Sequence, residues 1–145
     1  MKSTFTLAIV LLLAIFDHAA AAYVVAGNVT DGAASPDVLE LNLSSGATAR
    51  IDALDSGLIR VRVAPTAALS TRQSPAIMPT NLNPPGATIF DIGDYWYLGT
   101  AKLNVFIEKQ PFRLIVLDEN FALLSYDADA AVIWDDETGQ ILARR

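Results

Sequence analysis

Leu98 to Tyr126 reads LGTAKLNVFIEKQPFRLIVLDENFALLSY, three consecutive strand patterns with their turns, and this stretch decides the fold class. Leu103, Val105 and Ile107 fall on one face while Lys102, Asn104 and Glu108 take the other, the period of two of a half-buried strand. Phe106 alone interrupts the polar face. Lys109 and Gln110 turn the chain, and Pro111 stands where a strand can begin without giving a ladder hydrogen bond. Phe112 to Leu117 is a second, more continuously apolar strand. Asp118, Glu119 and Asn120 make the next turn, and Asn120 is expected to take the positive φ that asparagine tolerates better than other non-glycine residues. The chain then returns as Phe121 to Tyr126. Three strands in succession predict a meander.

Upstream, the cleanest alternation is Leu58 to Val63, LIRVRV, which sets Ile59, Val61 and Val63 inward and Arg60 and Arg62 outward. Before it, Val38 to Leu43 and Thr48 to Leu54 form a hairpin around Ser44-Ser45-Gly46, and Asp55-Ser56-Gly57 makes the following turn. Tyr23 to Ala26 is a short β-favouring run, and Gly27 to Asp37 reads as a loop. Ala64 to Gly86 carries Pro65, Pro75, Pro79, Pro84 and Pro85 and reads as a long ordered loop, with room for one short strand near Ala76 to Met78. Ala87 to Ile92 and Tyr95 to Leu98 lead into the meander. Beyond it, Ala130 to Trp134 is a strand, Asp135 to Gly139 a turn, and Gln140 to Ala143 the start of a return. No apolar spacing of three and four marks a helix outside the first 22 residues. The expected fold is therefore all-β, an antiparallel sandwich or open barrel of roughly eight to ten short strands.

The 145 residues allow one domain, and their 52% hydrophobic content exceeds what its core needs because part of it belongs to a leader. Lys2 opens a positive segment, Leu7 to Phe16 is unbroken apolar sequence, and Ala19 to Ala22 supplies small residues for a signal-peptidase site. Residues 1–22 read as a signal peptide cleaved after Ala22. A membrane anchor would need about 20 apolar residues, and Asp17 with His18 interrupts this run first. The remaining chain, 23–145, is expected to be secreted or periplasmic, with no membrane contact after cleavage. It has no cysteine, so packing alone must hold it. The formal net charge of −6 is unchanged by cleavage, since Lys2 and Asp17 leave together, and it disfavours nucleic acid and anionic membranes as partners. Asn28-Val29-Thr30 and Asn42-Leu43-Ser44 match the glycosylation sequon, but their plain reading is polar strand ends.

His18, the single histidine, lies in the leader, so the mature chain has neither His nor Cys. That excludes Ser-His-Asp and Cys-His nucleophile systems and an ordinary zinc site, and no metal or other cofactor is expected. Carboxylates remain: Asp91 with Asp94, Asp118 with Glu119, Asp127 with Asp129, and Asp135 with Asp136 and Glu137. Two of them at the right separation can hydrolyse a glycoside, but all sit in predicted turns, where aspartate bonds to nearby backbone. Asp127-Ala128-Asp129 lacks the third ligand, the glycine and the distal glutamate of a calcium loop. Arg60 and Arg62 can grip an anion, yet alternating arginines more often make a solvent face. Tyr95, Trp96, Tyr97 and Trp134 are the candidates for carbohydrate binding, because flat rings stack on sugars. The competing reading is that aromatics on strands are core.

Taken in order, Asp55-Ser56-Gly57-Leu58-Ile59-Arg60-Val61-Arg62-Val63-Ala64-Pro65, Ser74-Pro75-Ala76-Ile77, Thr100-Ala101-Lys102-Leu103, Gln110-Pro111-Phe112-Arg113-Leu114 and Leu117-Asp118 form a series that resembles the amino-terminal β-sandwich of glycoside hydrolase family 31, the α-glucosidases and α-xylosidases. Asn120 departs from the glycine usual after that aspartate, and Pro75 from a commoner aromatic. The resemblance implies a galactose-mutarotase-like supersandwich, incomplete at its C-terminus. It also implies a (β/α)8 barrel as partner, since in the family the barrel follows and carries the aspartate nucleophile and acid/base. The sequence stops at Arg145 before any such barrel, so no catalytic residue carries over and the chain alone is expected to be inactive. The implied role is that of the non-catalytic sandwich of a secreted retaining α-glycosidase, packing on the barrel and helping to wall the sugar site, with an α-linked oligosaccharide reached through the parent enzyme. The length fits a fragment or a truncated gene product. A free-standing secreted carbohydrate-binding sandwich is the alternative, and a purely structural exported β-domain the third reading.

Overall fold

The computed structural model describes residues 23–65, 69, 82–128, 132–135 and 141–143. The expected signal peptide with its cleavage site, most of the Pro-rich stretch including Ala76 to Met78, and Asp129, Asp136 and Glu137 lie outside the described residues. Among the described residues the regular elements are twelve strands: β1 (Tyr23–Val25), β2 (Val29–Ser35), β3 (Val38–Leu43), β4 (Thr48–Asp55), β5 (Leu58–Ala64), β6 (Thr88–Asp91), β7 (Tyr95–Gly99), β8 (Leu103–Lys109), β9 (Phe112–Asp118), β10 (Leu123–Tyr126), β11 (Val132–Asp135) and β12 (Ile141–Ala143). They form a four-stranded sheet in the order β2-β3-β4-β5, a five-stranded sheet β10-β9-β8-β7-β6, and a small sheet β1-β11-β12. Every pairing is antiparallel.

The two larger sheets pack face to face because each strand turns alternate apolar residues the same way. Leu39, Leu41, Leu43, Ala49 and Ile51 come from the four-stranded sheet; Leu98, Leu103, Val105, Ile107, Phe112 and Leu114 come from the five-stranded one. Ala26 and Trp134 join this core. Backbone and side-chain bonds tie the layers: the Phe112 amide donates to the Gly27 carbonyl at 2.8 Å, the Ala87 amide to Asp37 Oδ1 at 2.6 Å, and Thr100 Oγ1 to the Ser56 carbonyl at 2.6 Å.

Besides the strand count, twelve where eight to ten were expected, three details depart from the sequence reading. Gly27 to Asp37 is not all loop: Val29 to Ser35 pairs with β3 along its length, so β2 exists despite a run of small residues with little strand preference. Its Gly32 is required by space, since a Cβ there would come within 2.8 Å of Leu41 and of the Trp96 ring. The turn after β9 places positive φ on Phe121 rather than Asn120, because the Asp118 carboxylate accepts the amides of Asn120 and Ala122 and fixes the turn one residue later. The return strand accordingly starts at Leu123. Finally, Val61 shares the inward register with Ile51, yet it is 38% exposed on the edge strand of its sheet.

Candidate functional site

The outer faces of the two sheets carry different chemistry. On the four-stranded sheet the register sets Glu40 opposite Arg50 and Arg50 opposite Arg62, with Asp52 opposite Arg60. Asp52 is buried at the centre: Oδ1 accepts Arg50 Nε at 2.7 Å, while Oδ2 accepts Arg60 Nε at 3.1 Å and Arg62 Nη2 at 3.3 Å. Arg50 Nη1 also donates to Glu40 Oε1 at 2.7 Å. Burial pushes the Asp52 carboxyl up, but the hydrogen bonds and charges of Arg50 and Arg60 outweigh it and hold the group below its ordinary value. Hydrogen bonding to Asp52 in turn raises Arg50. The arginines of the LIRVRV strand thus clamp an internal carboxylate.

On the five-stranded sheet the pairings Phe90–Tyr97, Tyr97–Phe106, Phe106–Ile115 and Ile115–Tyr126 align one residue from every strand into a single row on the outer face. The Phe90 and Tyr97 rings are 5.0 Å apart and Tyr97 and Phe106 5.3 Å, while Tyr95 meets Phe106 edge-on at 6.4 Å. Tyr97 is oriented by its hydroxyl, which donates to Asn104 Oδ1 at 2.6 Å, and Asn104 Nδ2 donates to the Asp118 carbonyl at 2.7 Å. A neighbouring pair, Glu108 and Arg113, lies opposite Tyr95 across β8 and β9, with Arg113 Nε donating to Glu108 Oε2 at 2.7 Å.

The structure divides the four aromatic candidates. Tyr95 and Tyr97 stand on the outer row. Trp96 points to the opposite side, against Gly32, with the Lys109 ammonium 5.7 Å from its ring centroid. Trp134, 3% exposed, is a core residue and offers no face to a sugar. Sequence reasoning missed Phe90, Phe106, Ile115 and Tyr126 as members of one surface. The available signal was Phe106, an aromatic in an outward-facing position. Asp91, Asp118 and Asp127 of the acidic pairs are tied to their surroundings: Asp91 accepts Lys109 Nζ at 2.7 Å and the Gly93 amide at 2.9 Å, Asp118 accepts the Asn120 and Ala122 amides at 2.8 Å, and Asp127 accepts the Leu114 amide at 2.9 Å. The hydrogen bond from Lys109 leads in holding Asp91 below its usual range. No group of three or more His, Cys, Asp or Glu side chains is placed to hold a metal ion among the described residues.

Solved structures with this arrangement include large enzymes. An uncharacterized protein from Listeria monocytogenes matches 83% of this chain and 11% of its own, at 18% identity and a TM-score of 0.67. The cycloalternan-forming enzyme from Listeria monocytogenes, solved with a pentasaccharide substrate, matches 78% of this chain and 10% of its own, at 18% identity and a TM-score of 0.65. A GH31 dextranase from Flavobacterium johnsoniae matches 77% and 14%, at 16% identity and 0.67. The chain has a sandwich fold found within GH31 enzymes. It spans between 10% and 14% of the length of these three proteins. No protein-family profile and no curated protein matches the sequence.

Proposed function

We propose that this chain is the amino-terminal, non-catalytic sandwich of a secreted α-glycosidase of the family 31 type, acting on α-linked oligosaccharides through a (β/α)8 barrel on which it packs. The observation that carries this reading is the fold match to a GH31 dextranase, which takes in 77% of this chain but only 14% of that enzyme, as expected of one domain of a larger enzyme. The ordered sequence series from Asp55 to Asp118 supports the same family. Secretion rests on the leader-like residues 1–22. Asp91, Asp118 and Asp127, engaged in turns and an ion pair, fit a supporting role.

The test is to sequence the source locus beyond the Arg145 codon and to express whatever reading frame continues. A frame encoding a barrel, with α-glucosidase or α-xylosidase activity that disappears when residues 23–145 are deleted, is the expected result. Non-coding sequence immediately downstream, or hydrolysis of an α-glucoside by this chain unaided, overturns the proposal. Export is tested separately by fusing residues 1–22 to a reporter that is active only outside the cytoplasm.

A further inference from the structure

We infer that the β10 end of the aromatic row is a binding site for a neutral oligosaccharide. Glu108, Arg113, Ile115, Leu123, Tyr126 and Asp127 line an open depression of about 400 Å3, within the size range of small-molecule sites. Ile115 and Leu123 supply apolar lining, and Tyr126, 62% exposed, supplies an aromatic ring. The polar lining is fixed in place. Arg113 gives both Nε and Nη2 to Glu108 Oε2, and Asp127 is held by the Leu114 amide on its Oδ2. Among the described residues, Glu108 Oε1, Arg113 Nη1 and Asp127 Oδ1 make no hydrogen bond to the protein.

Two positioned carboxylate acceptors and one guanidinium donor beside an aromatic ring match a pyranose, whose hydroxyls both donate and accept and whose C–H face packs on apolar surface. The three charged groups sum to −1, with the single cation already paired, so a phosphate or other anion is disfavoured. An apolar protein segment would desolvate those three polar atoms without satisfying them. Phe106, Tyr97 and Phe90 continue the apolar lining across three more strands, about 14 Å at the usual strand spacing, which suits a chain of sugars better than a single one. This inference goes beyond the domain reading and stands on residues of this chain alone.

The full chain is titrated with maltotriose and isomaltotriose up to ~10 mM, which fills a site with Kd near 1 mM, and followed by amide chemical shifts. Saturable shifts centred on Glu108, Arg113 and Tyr126 are expected. Tyr126→Ala and Arg113→Ala should weaken binding at least tenfold, whereas the distant Glu40→Ala should leave it unchanged, with unaltered near-ultraviolet circular dichroism reporting intact folds. Absence of saturable shifts, binding indifferent to Tyr126→Ala, or occlusion of the row by self-association in sedimentation experiments overturns the inference. None of these results bears on whether a barrel is encoded downstream.

Discussion

Asp52 shows how one residue organises a whole sheet face. Three arginines from two strands converge on its buried carboxylate, so removing it leaves their charges crowded on one another. Asp52→Asn should lower stability at pH 7 by about 2 kcal/mol, less than for a fully buried ion pair because the arginines keep partial access to water. Since the folded carboxyl lies below its ordinary value, its contribution is fully present above the unfolded value of about 3.9 and is lost as pH falls through the folded one. Urea denaturation at pH 7 and pH 2 should therefore show the gap between wild type and variant narrowing in acid. Gly32 acts by being small. Gly32→Ala pushes a methyl group into Leu41 and the Trp96 indole and should cost about 1–3 kcal/mol, with a shift in tryptophan emission as Trp96 is displaced.

Strand β10 is poorly covered by the rest of the molecule. Leu123 and Leu124 are both more than half exposed on this edge strand, where a bulge between Leu123 and Ser125 interrupts the pairing with β9. Phe121, in the turn before it, is a further exposed apolar side chain. The full chain should bind a hydrophobic dye such as ANS, and Leu124→Ser should reduce that fluorescence while changing the unfolding free energy by no more than about 0.5 kcal/mol, because the side chain makes little of the core. A buried Leu124 would instead cost several times more, which separates the two situations by measurement. The elements legible in the sequence were those whose two faces differ in polarity, above all β3, β5 and β8. The small-residue strand β2 was illegible, because its pairing partner and the ring above Gly32, rather than its own composition, make it a strand.

At the scale of the molecule, catalysis in the proposed parent enzyme belongs to the barrel and not to the sandwich. Purified chain should show no hydrolysis of p-nitrophenyl α-glucoside above background at any pH between 4 and 8, a result checked by release of nitrophenolate after alkaline quenching. The sequence by itself determined the all-β class, the antiparallel meander and its main turns, since alternation of polarity and the residues that bend the chain are local properties. It also placed Tyr95 and Tyr97 among the candidate binding residues. Only the tertiary structure decided that Trp134 is core, that Trp96 faces inward, and that Arg60 and Arg62 hold Asp52. It alone assembled Phe90, Tyr97, Phe106, Ile115 and Tyr126 into one row. The reason is register: residues far apart in the chain become neighbours only when five strands pair in a particular alignment, and no local pattern states which side of a sheet another layer will cover.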